Sequence, residues 1–332
     1  MKTYDDQQLS AMRTSFLTAF PKIFSDIEYS LEFFSEMKNL ATEKGFTFLP
    51  EHFSNEMSVE IEARHKSLNH AIKSNLVENT LIIEIASGLS PRHLQFSSNE
   101  YVECDFKPIM DIKREIYKSM GHENLVETLC DADISNVKKF KNFITKSINK
   151  KNYQKIIIVN EGLFWYLSKP IIQKMTQQII SVLKGKNWIW ITTDCPVVDK
   201  NNFEHRKIIS KSANVKRGGI FKDYNDFSSF FNDIGLTNIS YSLSNFIKYQ
   251  DLSSAKFFSI EKQDAINRID SYTKIAILQP KWIVDLARES LRASAFRLPK
   301  KQKNSKRKFD ISQNYLRKRR KFWFIYAHFG VT

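Results

Sequence analysis

The sequence predicts an α/β protein with a seven-stranded, mostly parallel, doubly wound sheet that carries helices on both faces. Three observations support this fold class. From residue 80 onward, short apolar runs alternate with helix-like segments, which is typical of parallel sheets. The first run, residues 81–86, leads into the small residues 86–88, which is typical of a strand buried on both faces. Residues 5–78 carry apolar residues at spacings of three and four, which predicts an N-terminal helical region.

The predicted elements follow from where these runs and periodicities lie. We predict strands at residues 80–86, 100–105, 126–130, 155–160, 187–193, 237–244 and 271–278. Helices are expected between most of them, at residues 90–96, 108–119, 135–148, 169–184 and 223–233. The last two strands are expected to form an antiparallel pair at the edge of the sheet. The chain is expected to divide into a helical cap at 1–78, a core at 79–280 and a basic extension at 281–332.

Positive charge is concentrated near the end of the sequence. The formal net charge is +15, but residues 297–321 contain twelve Lys or Arg and one Asp, which leaves only about +4 for all other residues. Such a segment could neutralise the phosphates of a nucleic acid or bind another polyanion. It could equally be a solvated extension. One alternative for function is therefore a non-catalytic protein whose basic tail binds nucleic acid.

The cysteines and the apolar pattern predict a cytoplasmic protein. Cys104, Cys130 and Cys195 are far apart and odd in number, which fits reduced thiols. No apolar run reaches the roughly 18–20 residues that a membrane span needs, and the first residues are acidic where a signal peptide would be apolar. The Cys and His residues show no metal-ligand spacing, so no metal site is predicted.

The turn after the first predicted strand is the first candidate for ligand binding. Residues 86–88 are Ala-Ser-Gly, and such small residues let a ligand approach the backbone closely, while Gly88 can adopt positive φ. The helix that follows offers unpaired N–H groups. The dinucleotide fingerprint requires further glycines that are absent here, which argues against a nicotinamide-dependent oxidoreductase. For this stretch alone, an ordinary strand–helix corner is the alternative.

An acidic residue ends the second predicted strand, about 20 residues beyond the glycine turn. A carboxylate at that position can accept hydrogen bonds from both hydroxyls of a ribose. Asp105 is the better candidate because it stands at the end of the strand, whereas Glu103 would lie deeper on the same face. The alternative is a charged residue at the mouth of a loop.

Two aspartates follow the third predicted strand. An Asp and a neighbouring backbone N–H can bind the edge of an adenine ring, and either Asp133 with Ile134 or Asp131 with Ala132 could serve. Both aspartates could equally be N-cap residues of the helix that is predicted to begin near residue 135.

The fourth predicted strand leads into Glu161 and an aromatic run. Ligands of open α/β sheets bind at the carboxyl ends of the strands, and a carboxylate there would face a positively charged group such as a sulfonium. Phe164, Trp165 and Tyr166 would supply an apolar wall, and the hydroxyl of Tyr166 is the candidate catalytic group. The aromatic residues could instead pack under a loop, but Glu161 would then be buried without an evident partner.

Taken together, four motifs resemble those of the leucine carboxyl methyltransferase family, which includes bacterial O-methyltransferases associated with polyketide-type substrates. The motifs are ENTLIIEIASGLSPRHLQF at 78–96, YVECDFKPIMDIKREIY at 101–117, CDADIS at 130–135 and VNEGLFWYL at 159–167. The resemblance implies an S-adenosylmethionine-dependent O-methyltransferase. It also implies a Rossmann-like seven-stranded sheet with an N-terminal helical cap.

The resemblance implies a role for each matching residue. Arg64 would bind the methionine carboxylate of the cofactor, although its spacing alone would make it a solvated helix charge. Gly88 would line the cofactor at the first turn, and Glu161 would lie near the methionine moiety. Asp105 would bind the ribose, and Asp133 with Ile134 would hold the adenine.

This sequence departs from the family in two motifs. It has Ala86 and Ser87 where the family usually carries a second glycine, and Ser90 where an acidic residue is usual. The family's Arg-Asp after the adenine-binding pair is Ser135-Asn136 here. These departures concern the affinity for the cofactor and leave the predicted fold unchanged.

The residues favour a methyl acceptor with an acidic oxygen. A carboxylate, with a pKa of about 4, needs no general base at neutral pH, whereas a hydroxyl does. His65, His70 and His93 could face a pocket, but we expect a core or surface position for each. We expect a small-molecule acceptor, with a protein C-terminal carboxylate as the alternative.

Overall fold

The structure is a computed structural model that describes residues 6–43, 54–194, 221–265, 267 and 274–283. The strands of these residues are β1 (Thr80–Ile85), β2 (Glu100–Asp105), β3 (Leu129–Asp131), β4 (Lys155–Asn160), β5 (Trp188–Thr192), β6 (Leu236–Ser242) and β7 (Lys274–Pro280). The helices are α1 (Asp6–Ala19), α2 (Ser30–Glu43), α3 (Asn55–Asn75), α4 (Arg92–Gln95), α5 (Lys107–Ser119), α6 (Val137–Ile148), α7 (Lys169–Val182), α8 (Tyr224–Asp233) and α9 (Ser253–Phe257). Short 3₁₀ helices lie at Phe20–Phe24, Glu123–Thr128, Phe164–Tyr166, Leu243–Asn245 and Tyr249–Asp251.

The strands form one sheet in the order β3-β2-β1-β4-β5-β7-β6. The first five strands pair in parallel, and β7 is antiparallel to both β5 and β6. The predicted α/β class with a seven-stranded, mostly parallel, Rossmann-like sheet is confirmed. The last two strands do pair antiparallel as predicted, but β7 inserts between β5 and β6, so that only β6 lies at the edge.

Most predicted strands begin and end within two residues of their observed bounds. The third strand is the clearest exception, because Glu123–Thr128 forms a 3₁₀ helix and the strand begins only at Leu129. The described part of the seventh strand is Lys274–Pro280, and its predicted first residues, 271–273, lie outside the described residues. The shift of the third strand moves no candidate site residue, since these residues lie at or after the carboxyl ends of strands or in helices.

Alternate residues along the strands contact two different helical layers. Ile83 and Ile85 of β1 belong to an apolar core to which side chains of α6, α7 and α8 also belong. The other face of β2 contacts α5, because Lys113 and Tyr117 of α5 hydrogen-bond Glu103. Helices therefore cover both faces of the sheet, as predicted.

The N-terminal helices pack onto the sheet domain. Phe16 of α1 and Phe33 of α2 share an apolar cluster with Tyr117 of α5. Helix α3 begins after Ser54, whose hydroxyl accepts a hydrogen bond from the N–H of Met57, and it contacts β5 and β7. Met1–Asp285 form one compact unit; the boundaries predicted at residues 78 and 280 stay predictions. The basic segment and Cys195 lie outside the described residues.

None of the helices in the described ranges is long and apolar enough to cross a bilayer.

Candidate functional site

A cavity of about 520 Å³ lies at the carboxyl ends of the parallel strands and reaches helices α1 and α3. Its wall includes the turn after β1, the end of β2, the loop after β3 and the loop after β4. This is the position where open α/β sheets bind their ligands. All seven predicted site residues line it: Arg64, Gly88, Asp105, Asp133, Ile134, Glu161 and Tyr166.

The turn after β1 has two residues in the left-handed region. Gly88 has φ +53° and Ala86 has φ +52°. Left-handed backbone is unfavourable for any residue with a Cβ, so Ala86 occupies a position that suits glycine. A Cβ added to Gly88 would lie 3.4 Å from the hydroxyl oxygen of Ser15, on helix α1. The turn is therefore closely covered by α1 and keeps the backbone shape of a two-glycine turn.

Asp105, at the end of β2, holds this turn in place. Its Oδ2 accepts a 2.7 Å hydrogen bond from the N–H of Gly88, and its Oδ1 accepts one of 2.7 Å from the N–H of Phe106. Burial raises the pKa of Asp105 to about 6, although these two N–H groups oppose the increase. Glu103 does not line the cavity and lies buried in the core. The preference for Asp105 over Glu103 thus agrees with the geometry.

The loop after β3 separates the two candidate aspartates. Asp133 and Ile134 line the cavity, whereas Asp131 does not and instead forms an ion pair of 2.7 Å with Arg114. Asp133 accepts hydrogen bonds from the N–H and hydroxyl of Ser135 at 2.8 and 2.6 Å. Neither aspartate caps helix α6, because its N-cap is Asn136, whose side chain accepts from the N–H of Lys139.

Glu161 lies between two guanidinium groups. Its Oε2 is 2.6 Å from Nη2 of Arg92, and its Oε1 is 3.4 Å from Nη2 of Arg64. Burial by itself would raise the pKa of Glu161, but Arg64 and Arg92 lower it to about 2. The carboxylate is therefore ionised across the physiological range, and it has the partners that the sequence alone did not reveal.

Arg64 is not a solvated helix charge. Its side chain is 16% exposed, lines the cavity and also forms an ion pair of 3.8 Å with Glu60. Its Nε is buried and has no hydrogen-bond partner in the structure. A buried donor without a partner is costly, so this part of the cavity is suited to an anionic or acceptor group of a ligand.

Arg92 and Glu84 complete an ionic network that sequence analysis missed. Arg92 is fully buried and pairs with Glu84 of β1, whose Oε2 accepts a 2.7 Å hydrogen bond from the hydroxyl of Tyr101. Arg92 also contacts His65 Nδ1 at 3.1 Å. The sequence did contain a sign of this network, because Glu84 interrupts an apolar strand and a buried carboxylate requires a partner.

Asp194, just after β5, shapes the loop that carries Glu161. It is fully buried and accepts hydrogen bonds from the N–H groups of Gly162, Leu163 and Phe164 at 2.5, 2.5 and 2.8 Å. It also accepts one of 2.6 Å from the side chain of Asn160. The rule that selected Asp105 and Asp133, an aspartate at a strand end, would also have identified Asp194.

Tyr166 lines the cavity, but its phenol is a poor base. Tyr166 is 36% exposed, but partial removal of water from its hydroxyl raises its pKa to about 12, so the hydroxyl stays protonated at neutral pH and can donate a hydrogen bond. Its assignment as a catalytic residue stays a prediction.

The histidines do not provide a base at the cavity. His65 is fully buried between Arg92 and Gln95, and burial lowers its pKa well below the usual value. His93 contacts Glu103 at 3.1 Å in the core, and His70 packs near Phe246. No histidine of the described ranges lines the cavity, and these ranges contain no cluster of His, Cys, Asp and Glu that could hold a metal ion.

Comparison with known proteins gives only distant similarities. No family model matches the sequence, and no curated protein matches it. The chain is similar to a protein from Thermobifida fusca YX that is assumed to be a methyltransferase, with 13% identity over 80% of this chain and 94% of that one and a TM-score of 0.48.

Two further solved structures are similar at a lower level. They are a mitomycin 7-O-methyltransferase (8% identity, 77% of this chain and 70% of that one, TM-score 0.38) and the magnesium protoporphyrin IX methyltransferase of Synechocystis PCC 6803 (9% identity, 67% and 85%, TM-score 0.39). At these levels of similarity no function is transferred to this chain.

Proposed function

We propose that this protein is an S-adenosylmethionine-dependent methyltransferase that methylates an oxygen of a small-molecule acceptor. The observation that carries the proposal is the convergence of four separate motifs on one cavity. Residues from the first turn, from the ends of β2 and β3, and from the loop after β4 all line it. The resemblance to the leucine carboxyl methyltransferase family depends on these same four motifs.

The cavity has the size and the donor set that this cofactor needs. Its volume of about 520 Å³ lies within the range of about 300–1,000 Å³ that is common for small-molecule sites. Asp105 offers a carboxylate for the ribose hydroxyls, and Asp133 offers one for the exocyclic amine of adenine. The unpartnered Nε of Arg64 offers a donor for the methionine carboxylate. Glu161, ionised beside Arg64, would balance the positive charge of the methionine moiety.

The residues of this chain would align the methyl group of the cofactor with the acceptor oxygen and exclude water. When bound, S-adenosylmethionine supplies an electrophilic methyl group on a positively charged sulfur. Leu163 and Leu167 contribute an apolar part of the cavity wall, and Tyr166 can donate a hydrogen bond that would orient an acceptor oxygen. Proximity and alignment of the methyl group and the acceptor oxygen account for much of the catalysis of methyl transfer.

An acceptor with an already ionised oxygen fits this cavity best. Tyr166 stays protonated because its pKa is raised to about 12, and no described histidine lines the wall. A carboxylate acceptor needs no proton acceptor, whereas a neutral alcohol would. We therefore place a small carboxylic acid first and an acidic hydroxyl second.

The proposal is tested by calorimetric titration of the full chain with S-adenosylmethionine, S-adenosylhomocysteine and NAD. We expect micromolar binding of the first two and none of NAD. Gly88→Val should abolish binding, because a side chain at φ +53° is strained and would enter the space between the turn and Ser15. A folded wild-type protein that binds neither adenosyl compound would refute the proposed function.

A matched pair of aspartates controls for general effects of lost charge. Asp133→Ala should weaken binding of S-adenosylhomocysteine about tenfold, by loss of one hydrogen bond to a charged group. Asp131→Ala removes a carboxylate two residues away that lies outside the cavity, and it should leave the affinity unchanged. Equal effects of both substitutions would argue against adenine recognition by Asp133.

The cytoplasmic location and any role of the basic segment in nucleic-acid binding stay predictions.

A further inference from the structure

The segment from the loop after β3 to the end of β5 concentrates positive charge. Residues 134–193 contain eleven Lys, no Arg and one acidic residue, Glu161, which gives a formal charge of +10. Because all residues outside 297–321 sum to about +4, the chain without these two segments carries about −6. The positive charge outside the basic extension is therefore confined to one part of the chain.

Helices α6 and α7 present most of these lysines to solvent. The two helices contact each other, and their apolar residues, such as Phe140, Phe143 and Ile172, belong to the core beside the sheet. The turns that follow the two helices are neighbours, because the side chain of Asn187 donates a hydrogen bond of 3.1 Å to the carbonyl oxygen of Gln154. Eight exposed lysines of these helices and turns are here called the basic face: Lys138, Lys139, Lys141, Lys146, Lys150, Lys174, Lys184 and Lys186.

No lysine of the basic face forms an ion pair with a carboxylate in the described part of the chain. Two other lysines of the segment are paired instead. Lys151 pairs with Glu100, and Lys169 pairs with Asp226 at 2.9 Å. Between the lysines of the basic face, exposed positions carry amides and a hydroxyl: Asn142, Asn149, Gln173, Gln177 and Ser181. The face is therefore polar and of a single sign of charge.

Helix stability does not account for this arrangement. Positive side chains are favourable near the C-terminal end of a helix and unfavourable near its N-terminal end. Lys138 and Lys139 lie in the first turn of α6, which contains no acidic residue. Lys141 follows Lys138 at a spacing of three, where like charges repel each other. These three lysines disfavour α6 by itself, and an external polyanion would offset their repulsion.

We propose that the basic face binds the phosphate backbone of a double-stranded nucleic acid. From Lys138 to Lys146 the face extends about 12 Å along α6, at a rise of 1.5 Å per residue. A duplex carries about seven phosphate charges over that length. The lysines supply point charges, and the amides between them supply hydrogen bonds to phosphate and sugar oxygens. The inference does not depend on the proposed function, because none of the eight lysines lines the cavity.

The composition of the basic face argues against two other partners. A membrane-surface helix inserts an apolar face into the lipid boundary, but the only large apolar side chain that α6 and α7 expose is Val137, at 36%. Single strands are bound largely by stacking of bases on aromatic side chains, but Phe140 and Phe143 of α6 are buried. Since the segment has no Arg for guanine recognition, we expect binding that is independent of base sequence.

The test measures binding of a short fluorescent DNA duplex of mixed sequence to the full chain, by anisotropy at several salt concentrations. The wild type is compared with a basic-face variant that carries four substitutions: Lys138→Gln, Lys141→Gln, Lys146→Gln and Lys150→Gln. At about 0.1 M salt the affinity of this variant should be at least about tenfold lower. Each phosphate contact contributes about 0.9 to the slope of log affinity against log salt, so the slope should become shallower by about three to four.

A matched variant separates the basic face from the total charge of the chain. It replaces four exposed lysines on other elements: Lys38→Gln, Lys73→Gln, Lys118→Gln and Lys262→Gln. Both variants lose four positive charges and keep the basic extension, so any contribution of that extension is the same in each. The matched variant should keep the slope of the wild type and lose less than about threefold in affinity, because salt screens distant charges. Thermal melts check that each variant is folded.

Four results would overturn the inference. A wild type that does not bind the duplex even at low salt has no such surface. A basic-face variant with the affinity and slope of the wild type shows that phosphates are bound elsewhere, and equal losses in both variants show an effect of total charge only. Vesicles of phosphatidylcholine and phosphatidylserine test the membrane alternative. If the basic-face variant lost vesicle binding but kept duplex binding, the face would belong to a lipid surface.

Discussion

Two buried glutamates occupy neighbouring positions on the same face of the sheet, and their surroundings differ. Glu84 of β1 and Glu103 of β2 are register partners in the parallel pair. Like charges in such a position repel each other, so each needs its own cation. Glu84 is paired with Arg92, and Glu103 with Lys113 at 2.5 Å. Each cation comes from an element that follows its strand, Arg92 from α4 and Lys113 from α5.

The group around Glu103, here called the core cluster, is closed. It consists of Glu103, Lys113, His93 and Tyr117, and all four are buried. Lys113 also donates to the carbonyl oxygen of Gly88 at 3.2 Å. Burial by itself would raise the pKa of Glu103, but Lys113 lowers it to about 2. The charges of this cluster are therefore paired within it, and the bond from Lys113 to Gly88 holds the glycine turn.

The group around Glu84, here called the cavity cluster, is open. It consists of Glu84, Arg92, Glu161 and Arg64, and three ion pairs join all four of them along the cavity wall. Arg64 keeps an unpartnered Nε. The comparison predicts that the core cluster acts on stability, whereas the cavity cluster keeps unused binding capacity for a ligand.

The largest expected effect comes from breaking the core cluster. Lys113→Met leaves Glu103 as a buried carboxylate without its cation, and this should reduce the free energy of unfolding by about 3–5 kcal/mol. Lys118→Met, at an exposed position on the same helix, is the matched control and should change stability by less than about 0.5 kcal/mol. Urea denaturation of both variants measures this. A loss below about 1 kcal/mol for Lys113→Met would contradict the comparison.

A smaller effect, on binding and not on stability, is expected from the cavity cluster. Arg64→Met leaves Glu161 paired with Arg92, so the free energy of unfolding should fall by less than about 1 kcal/mol. The affinity for S-adenosylhomocysteine should fall about tenfold, because a charged donor is lost. Arg114→Met, which breaks the ion pair with Asp131 outside the cavity, serves as the control. A variant that unfolds more easily but binds normally would show the cavity cluster to be structural.

The pH dependence should distinguish a binding carboxylate from a structural one. The pKa of Asp105 is raised to about 6, so below this pH it becomes neutral and the affinity for S-adenosylhomocysteine should fall by up to about tenfold per pH unit. Stability should respond in the opposite direction, because a carboxyl with a raised pKa stabilises the folded state more as it takes up its proton between about pH 6 and pH 4.

Asp105→Asn provides the reference for this titration. Its affinity should be lower than that of the wild type and nearly constant between about pH 5.5 and pH 8. Calorimetry at four pH values, for both proteins, measures the difference. If the wild type and Asp105→Asn showed the same pH profile, another group would be responsible for it.

The smallest expected effect concerns the strained turn above the core cluster. Ala86→Gly removes a Cβ from a left-handed position, which gains about 1 kcal/mol, and makes the unfolded chain more flexible, which costs about half of that. A net increase of about 0.5 kcal/mol in the free energy of unfolding is expected. Ala132→Gly, at a buried position that has no positive φ, should instead lose about 1 kcal/mol. Equal losses for both variants would show that Ala86 is not strained.

The sequence was sufficient for the sheet and for seven of the residues that line the cavity. Apolar runs and helical periodicity act over short distances, so they predicted the strands and helices closely. Strand-end residues such as Asp105 and Asp133 could be predicted because parallel strands bring their carboxyl ends to one edge. These positions depend on chain direction and need no knowledge of packing.

The partners of the charged residues could not be predicted in this way. Arg64 and Arg92 lie far from Glu161 in the sequence, and only the packing of α3 and of α4 brings their charges close to it. The choice between Asp131 and Asp133 also required the path of the loop after β3. Long-range ion pairs depend on three-dimensional packing, and a single sequence carries little trace of that.

The hydrogen bonds of Asp194 have a consequence for how this protein could diversify. One carboxylate fixes three successive backbone N–H groups directly after Glu161. The shape of that loop is therefore set by a residue of the neighbouring strand and not by the loop's own side chains. Tyr166 could be exchanged for other residues while the backbone keeps its course and Glu161 keeps its ion pairs with Arg64 and Arg92, so that other ligands could be accommodated on an unchanged scaffold.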